Sequence, residues 1–242
     1  MKPTVTLFIQ CIVDGVFPQV GQSMVRVLDR LGVSMHYPPD QTCCGQPAFN
    51  AGYRNEARAA AKRFIEIFED SETIVCPSGS CVSMVRNHYA DLFENDFKLL
   101  ERARRVAGKT FEFSEFLVDV LKLEDVGASF EKRVTYHDSC HLMRGIGVSR
   151  QPRTLIAHVK GVDFVEMHDP DRCCGFGGAF SFKYPDISTA MLEDKVRNIE
   201  DSGAGVVVGC DMGCLMNIQG MLNRKNSDIK TMHIAELLDQ SN

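Results

Sequence analysis

The chain has 242 residues, of which 44% are hydrophobic and 24% charged, with a formal net charge of −5. That balance belongs to a globular protein with ample core, arranged as one large domain or two small ones. The mild negative charge gives no field that would draw nucleic acid or an anionic membrane, and no apolar run approaches the roughly 18 residues of a membrane span. The start, Met1-Lys-Pro-Thr-Val-Thr-Leu-Phe-Ile-Gln-Cys11, lacks the long apolar region and small-residue cleavage site of a signal peptide. The expected location is cytoplasmic. In that reducing compartment ten cysteines point to metal binding or redox chemistry rather than to a disulfide framework.

In chain order, residues 4–9 are β-branched and apolar and predict a strand, with Cys11 just past its end. Residues 18–31 place Val20, Met24, Val27, Leu28 and Leu31 on one helical stripe, which Gly32 stops. A short strand over 33–37 is followed by Pro38-Pro39-Asp40, which turns the chain into Cys43-Cys44-Gly45. A helix is expected over 55–68 with Phe64, Ile65 and Phe68 inward, then a strand over 73–75 ending at Cys76. Pro77-Ser78-Gly79-Ser80 leads into a helix that starts near Cys81. Residues 89–128 hold no cysteine and read as helical, through 91–97 and 114–123; core packing accounts for Phe113, Phe116, Leu117 and Leu121. The basic run Arg102-Ala103-Arg104-Arg105, flanked by Glu101, reads as a solvated helix face.

The second half repeats the plan. A strand over 133–136 leads to His137-Asp138-Ser139-Cys140-His141; a helix over 152–159 and a strand over 163–167 lead to a second Cys-Cys-Gly loop. A helix over 185–201, closed by Gly203, precedes a strand over 205–208 that ends near Cys210. A helix over 215–222, a strand over 229–232 and a helix over 234–238 complete the chain.

All ten cysteines fall into two matched sets: Cys11, Cys43, Cys44, Cys76 and Cys81, then Cys140, Cys173, Cys174, Cys210 and Cys214. Between Cys11 and Cys43 lie 31 residues, and between Cys140 and Cys173 lie 32. The words Asp40-Gln-Thr-Cys-Cys-Gly-Gln-Pro-Ala-Phe-Asn50 and Asp171-Arg-Cys-Cys-Gly-Phe-Gly-Gly-Ala-Phe-Ser181 repeat one another. This is an internal duplication. The predicted fold is α/β: two pseudo-symmetric lobes, each a small, mostly parallel sheet flanked by helices, with the cysteines gathered at the carboxyl ends of the strands. The expected organisation is a first cysteine-rich lobe over 1–95, a helical connector over 96–130 packed across the lobes, and a second cysteine-rich lobe over 131–242.

A lone Zn2+ takes four tetrahedral ligands, and Cys76-x4-Cys81 and Cys210-x3-Cys214 are spaced to supply pairs of them. Adjacent cysteines suit a single small ion poorly, because neighbouring side chains point apart; a multi-iron cluster accommodates them better. Glycines at 45, 79, 175, 177 and 178 let backbone approach and aim N–H groups at sulfur. The bland alternative, cysteines as small buried hydrophobes, does not explain two matched sets of five. A redox disulfide within Cys43-Cys44 or Cys173-Cys174 requires a strained small ring. His137 and His141 flank Cys140 and are read either as donors to cluster sulfur or as loop histidines with ordinary hydrogen bonds; His168 and His233 are considered beside them. Asp14, Asp138 and Asp211 each lie within three residues of a cysteine, as proton carriers or, more simply, loop caps. Gly175-Phe176-Gly177-Gly178 lacks the spacing of a dinucleotide fingerprint, and no P-loop, nucleophile elbow or His-Glu-x-x-His motif is present.

With these two copies the chain resembles the cysteine-rich Cys-Cys-Gly domain family, which includes the catalytic subunit of heterodisulfide reductase and the iron–sulfur subunits of glycolate and glycerol-3-phosphate dehydrogenases. The words Gly-Gln-Pro-Ala-Phe-Asn-Ala-Gly-Tyr53, Pro77-Ser-Gly-Ser-Cys81, Cys-Cys-Gly-Phe-Gly-Gly-Ala-Phe-Ser181 and Met232-His-Ile-Ala-Glu-Leu-Leu238 narrow the resemblance to its lactate-utilisation subgroup, over nearly all of residues 4–238. The resemblance implies a non-flavin, iron–sulfur electron-transfer subunit of an L-lactate oxidising system. It also implies two other lactate-utilisation subunits as partners, one of them a ferredoxin-like iron–sulfur protein. It further implies one iron–sulfur cluster per lobe, a [4Fe-4S] or a non-cubane cluster. Cys11, Cys43, Cys44 and Cys140, Cys173, Cys174 match the family's first three ligand positions. Downstream the pattern departs. Cys81, separated from Cys44 by 36 residues, fits the fourth position better than Cys76, separated by 31, and the fifth then falls on Met84. In the second half Cys210, separated from Cys174 by 35 residues, fits the fourth position, yet Cys214 follows after three intervening residues rather than the family's two. The expected ligands are therefore Cys11, Cys43, Cys44 and Cys81 in one lobe and Cys140, Cys173, Cys174 and Cys214 in the other, with Cys76 and Cys210 as extra or alternative ligands and Zn2+ as the alternative metal in one lobe. Two other roles stay open here: a cluster-based reductase of disulfide-type substrates, and a zinc-stabilised scaffold subunit.

Overall fold

A computed structural model describes residues 4–241. Met1, Lys2 and Pro3, which open the segment read above for a leader, lie outside them. The first lobe runs β1 (Thr4–Leu7), α1 (Cys11–Val16), α2 (Pro18–Arg30), β2 (Ser34–His36), α3 (Gln46–Ala51), α4 (Arg54–Phe68), β3 (Ile74–Cys76), α5 (Gly79–Ser83), α6 (Tyr89–Leu92), α7 (Phe97–Ala107), β4 (Thr110–Glu112) and α8 (Phe113–Glu115). The wide π turn Met84–His88 joins α5 to α6, and a second, Phe116–Val120, extends α8. The second lobe runs β5 (Arg133–Tyr136), a π turn His141–Gly145, α9 (Arg150–Ala157), β6 (Asp163–Phe164), α10 (Ala179–Lys183), α11 (Pro185–Asp201), β7 (Val206–Gly209), α12 (Met212–Arg224), β8 (Lys230–His233) and α13 (Ile234–Asp239).

Each lobe is built on a four-stranded sheet, in the orders β2-β1-β3-β4 and β6-β5-β7-β8, and every pairing is parallel. The identical order is the three-dimensional form of the sequence duplication. In both sheets the winding reverses between the first and third strands of the lobe, and the crevice outside the carboxyl ends at that switch point is where such sheets hold ligands.

The predicted stripe of α2 is its buried face: Val20, Met24, Val27 and Leu28 are fully inaccessible. That helix packs on α13 of the other lobe, where Arg26 Nε donates to Asp239 Oδ2 at 2.7 Å and Arg30 donates to the Leu238 carbonyl at 2.5 Å. One apolar core runs through both lobes, uniting Leu7, Met24, Phe113, Phe116 and Leu117 with Tyr136, Leu155, Leu215 and Leu237. Two outer layers cover the far faces. In the first lobe Phe8 meets Phe64 edge-on at 4.8 Å between ring centroids, the arrangement that ring quadrupoles favour; in the second, Val196, Ile199, Val207, Ile218 and Leu222 pack together.

The segment over 96–130, expected as a helical connector, holds α7 and α8 but also β4, which completes the first sheet against β3. Three residues, Thr110, Phe111 and Glu112, are too few to register as an alternating run. Residues 91–97 are not one helix: the chain breaks there, and Asp96 caps α7 by accepting from the Leu99 N–H at 3.2 Å. The strand expected over 163–167 pairs only at Asp163 and Phe164. The basic run at 102–105 is not wholly solvated, since Ala103 is buried and Arg102 forms a two-point pair with Glu69 at 2.7 Å. Among the described residues no helix is long and apolar enough to cross a membrane.

Candidate metal centres

Matching backbone hydrogen bonds bring the two lobes into correspondence. Phe8 N–H donates to Val75 O, and His137 N–H donates to Val208 O, each at 2.9 Å. Counting outward from these pairs, Cys11 corresponds to Cys140 and Cys81 to Cys214, while Cys76 corresponds to Gly209 and Cys210 to Pro77. The tenfold cysteine repeat is therefore a repeat of four plus one unrelated cysteine in each lobe.

The adjacent cysteines sit in the loops that follow β2 and β6. Gly45 and Gly175 come next, with φ of +86° and +79°. Those left-handed conformations turn each glycine N–H back onto the first sulfur of the pair: Gly45 N to Cys43 Sγ and Gly175 N to Cys173 Sγ are both 3.4 Å. A Cβ at Gly175 would stand 2.5 Å from the Ser188 carbonyl oxygen, so space and backbone conformation both demand glycine there. Tyr89 Oη donates to Cys44 O at 2.9 Å, and Asn217 donates to Cys174 O at 2.9 Å, pinning the loops. Cys81 lies in the first turn of α5, its N–H donating to the N-cap Ser78 Oγ at 3.3 Å. Cys214 lies in the first turn of α12, its N–H donating to Asp211 O at 3.1 Å.

In the first lobe Cys11, Cys43, Cys44 and Cys81 form a contiguous thiol chain, with Cys44 Sγ and Cys81 Sγ 3.4 Å apart. Cys140, Cys173, Cys174 and Cys214 form the matching chain. Hydrogen bonds from Cys11 and Cys44, assisted by the Gly45 N–H, pull the Cys43 thiol down to about 3. Cys140 and Cys174 do the same for Cys173, to about 2. The first sulfur of each pair is thus the readiest thiolate, and its neighbours Cys44 and Cys174 are correspondingly pushed up. Cys76 adjoins Cys81 from behind, and burial raises its thiol. Cys210 points away from its set, 3.4 Å from the Tyr136 hydroxyl.

All eight cysteines of the two quartets line one cavity of about 120 Å³; Cys76 and Cys210 are not among its lining residues. Ile12, Pro47, Phe176 and Met212 supply apolar wall, and Ser78, Ser80, Ser139 and Asp211 supply polar wall. Asp211 reaches across the lobes. Its Oδ1 accepts from Ser78 Oγ at 2.7 Å, Ser80 Oγ at 2.8 Å and Ser80 N–H at 3.1 Å, and its Oδ2 accepts from Ser139 Oγ. His233 also bridges the lobes: Nδ1 accepts from the Ala235 N–H, which leaves Nε2–H to donate to Pro77 O, both at 3.1 Å.

The remaining polar candidates divide clearly. His137 is buried with neither ring nitrogen hydrogen-bonded. Burial, seconded by the charge of Lys195, holds it down to about 3 and hence neutral. His141 lines the cavity with Nδ1 3.7 Å from Cys140 Sγ. His168 is exposed beside Asp169. Asp14 is exposed on α1, and Asp138 is ion-paired to Arg153 at 2.6 Å, so neither lines the cavity. Sequence reasoning missed Lys195. It is fully buried, and its Nζ donates to the Asp169 and Pro170 carbonyls at 3.0 Å each, placing a cation beside the second Cys-Cys-Gly loop. Its position on the buried stripe of α11, between Leu192 and Ile199, was the available signal.

Two quartets of soft sulfur donors, each with a backbone N–H aimed at its most acidic thiol, fit an iron–sulfur cluster or zinc and not a hard cation. Fold and site together define a protein made of duplicated cysteine-rich domains, and the family profile for a cysteine-rich domain, CCG, matches residues 5–86 and 134–219. The chain is 48% identical over 235 residues to lactate utilization protein A of Bacillus subtilis (strain 168), covering 97% of this chain and 98% of that one. It is 49% identical over 235 residues to lactate utilization protein A of Anoxybacillus flavithermus, with the same coverage. The chain belongs to the lactate utilization protein A family. Among solved structures, a hypothetical protein from Helicobacter pylori shares the fold at a TM-score of 0.62 and 10% identity, over 99% of this chain and 49% of that one.

Proposed function

We propose that this chain is a cytoplasmic iron–sulfur electron-transfer subunit of a system that oxidises L-lactate to pyruvate. The name of its relatives carries the lactate role. The observation that carries the electron-transfer role is the convergence of eight cysteines on one cavity, four from each lobe. Cys11, Cys43, Cys44 and Cys81 hold one centre, and Cys140, Cys173, Cys174 and Cys214 the other. A cluster bound to such thiolates supplies exchange of one electron at a time. The chain's own residues set the conditions for it. Gly45 and Gly175 N–H groups stabilise negative charge on Cys43 and Cys173. Ile12, Phe176 and Met212 thin out water around the sulfurs, and the shared cavity gives two one-electron sites a common region in which to divide the two electrons of lactate. The partners in this reading are two other lactate-utilisation subunits, one a ferredoxin-like iron–sulfur protein.

Reconstitution tests it. With both partners present, lactate should bleach the visible absorbance of the anaerobically purified chain, and Cys81→Ser or Cys214→Ser should abolish electron delivery. Equal lactate oxidation with and without this chain would contradict the reading.

The apolar wall of Ile12, Pro47, Phe176 and Met212 beside the cysteines favours one second reading, a reductase acting on disulfide-type substrates. Turnover of small disulfides by the purified chain with a chemical reductant would establish it, and inertness toward a panel of them would dismiss it.

A further inference from the structure

The two quartets are backed by different residues. Phe8 and His137 occupy one position in the duplicated fold, fixed by their matching 2.9 Å hydrogen bonds to Val75 and Val208. Phe8 packs against Phe64 and Phe68 and has no donor to offer a metal. His137 stands at the same place in the second lobe with an imidazole that is 1% exposed. Neither of its ring nitrogens has a hydrogen-bond partner. A ring nitrogen of His137 and the sulfurs of Cys174 and Cys214 all lie within 4.8 Å of one another. Buried polar groups in proteins are nearly always paired, so an imidazole left without a partner beside two thiols calls for a ligand. Imidazole with thiolate is a donor set that zinc, copper and iron all accept.

We infer that His137 is a ligand of the metal centre held by the second lobe, together with Cys174 and Cys214, and that the two centres of this chain are chemically unlike. The first lobe offers thiols alone. The second adds a neutral nitrogen, approaching from the protein interior, since His137 is not among the residues lining the cavity. Because the added donor is neutral, the second centre gains a ligand without gaining negative charge. Lys195, whose Nζ is held by the Asp169 and Pro170 carbonyls, places a positive charge beside the second Cys-Cys-Gly loop. His141 is the contrasting case: it contacts Cys140 from the cavity side and serves as the control.

The inference rests on the iron–sulfur reading for the identity of the metal but not for the existence of the site. The test is pulsed EPR of the reduced, anaerobically purified chain, made with natural histidine and with 15N-histidine. The expected result is a histidine nitrogen coupling on one of two cluster signals. It should switch isotope with the label, persist in His141→Phe and vanish in His137→Phe. Should His137→Phe fail to fold, persistence of the labelled coupling in His141→Phe still assigns it to His137, because His233 has both ring nitrogens committed to backbone groups and His168 is exposed beside Asp169. Iron signals without any histidine coupling, or a coupling unchanged in His137→Phe, would overturn the inference and leave the iron–sulfur reading intact. Zinc without iron would overturn that reading instead; zinc-edge absorption would then be expected to show an imidazole that His137→Phe removes. Thiolate-only zinc would overturn both.

Discussion

Asp211 Oδ1 accepts a hydrogen bond from Ser78 Oγ at 2.7 Å, and the two residues are each other's counterparts in the duplicated fold. Ser78 precedes Cys81 by three residues and Asp211 precedes Cys214 by three. The lobes therefore meet at equivalent points, each one helical turn from a cavity cysteine. One of the contacts that join the halves thus lies beside the sulfurs of both.

Asp211 is nearly inaccessible and serves three hydroxyls, those of Ser78, Ser80 and Ser139. Asp211→Ala should cost about 3 kcal/mol, because charge-assisted bonds are lost and their donors stay buried without a partner. Asp211→Asn should cost less, since Oδ1 keeps an acceptor. Urea unfolding of the two variants under anaerobic conditions checks the order.

Gly79 faces Leu142 of the opposite lobe so closely that an added Cβ would stand 2.6 Å from Leu142 Cβ. Gly79→Ala should destabilise the chain by about 1–3 kcal/mol by overpacking. In a Leu142→Gly background, which removes the clashing Cβ, Gly79→Ala should cost less than it does in the wild-type chain if the clash is the cause. Thermal melts of the single and double variants measure the difference.

Cys210 contacts Tyr136 and stands apart from its quartet, whereas Cys214 lines the cavity. Cys214→Ser should lose about half of the bound metal, taking one centre per lobe. Cys210→Ser should keep its full complement. Metal analysis of both variants decides whether correspondence with Cys81 or spacing from Cys174 identifies the ligand.

Glu112 is fully buried at the end of β4, and loss of hydration pushes its carboxyl from 4.5 up to about 8. The folded state thus holds a proton that the unfolded chain gives up. Its stabilising contribution is complete below pH 4.5 and is lost as pH rises through about 8. Glu112→Gln, which cannot ionise, should flatten that part of the stability profile. Unfolding midpoints of both forms between pH 5 and 8 would show it.

Much of the fold was legible because periodicity and duplication agree. The stripe of α2, the long α11 between Pro185 and Gly203, and the repeated Cys-Cys-Gly words all have strong local signals. β4 was not legible, since three residues carry no period. Spacing alone favoured Cys210 as the fourth position of the second set; only the register between β5 and β7 aligns Cys210 with Pro77 and Cys214 with Cys81. Asp211 reads as a loop cap from sequence, yet its carboxylate spans the lobes, a contact separated by 133 residues that no local pattern encodes. Gly79 was expected to bring its backbone toward sulfur, and its space is taken by Leu142. Sequence also could not choose between His137 and His141, because which one turns inward depends on a hydrogen bond to the neighbouring strand.

The central claim is tested most directly by iron, sulfide and zinc content of the chain purified without oxygen, read together with EPR of its oxidised and reduced forms. The account predicts about four to eight irons per chain with matching sulfide and a signal that changes with redox state. Zinc alone, with no iron and no signal, would contradict it.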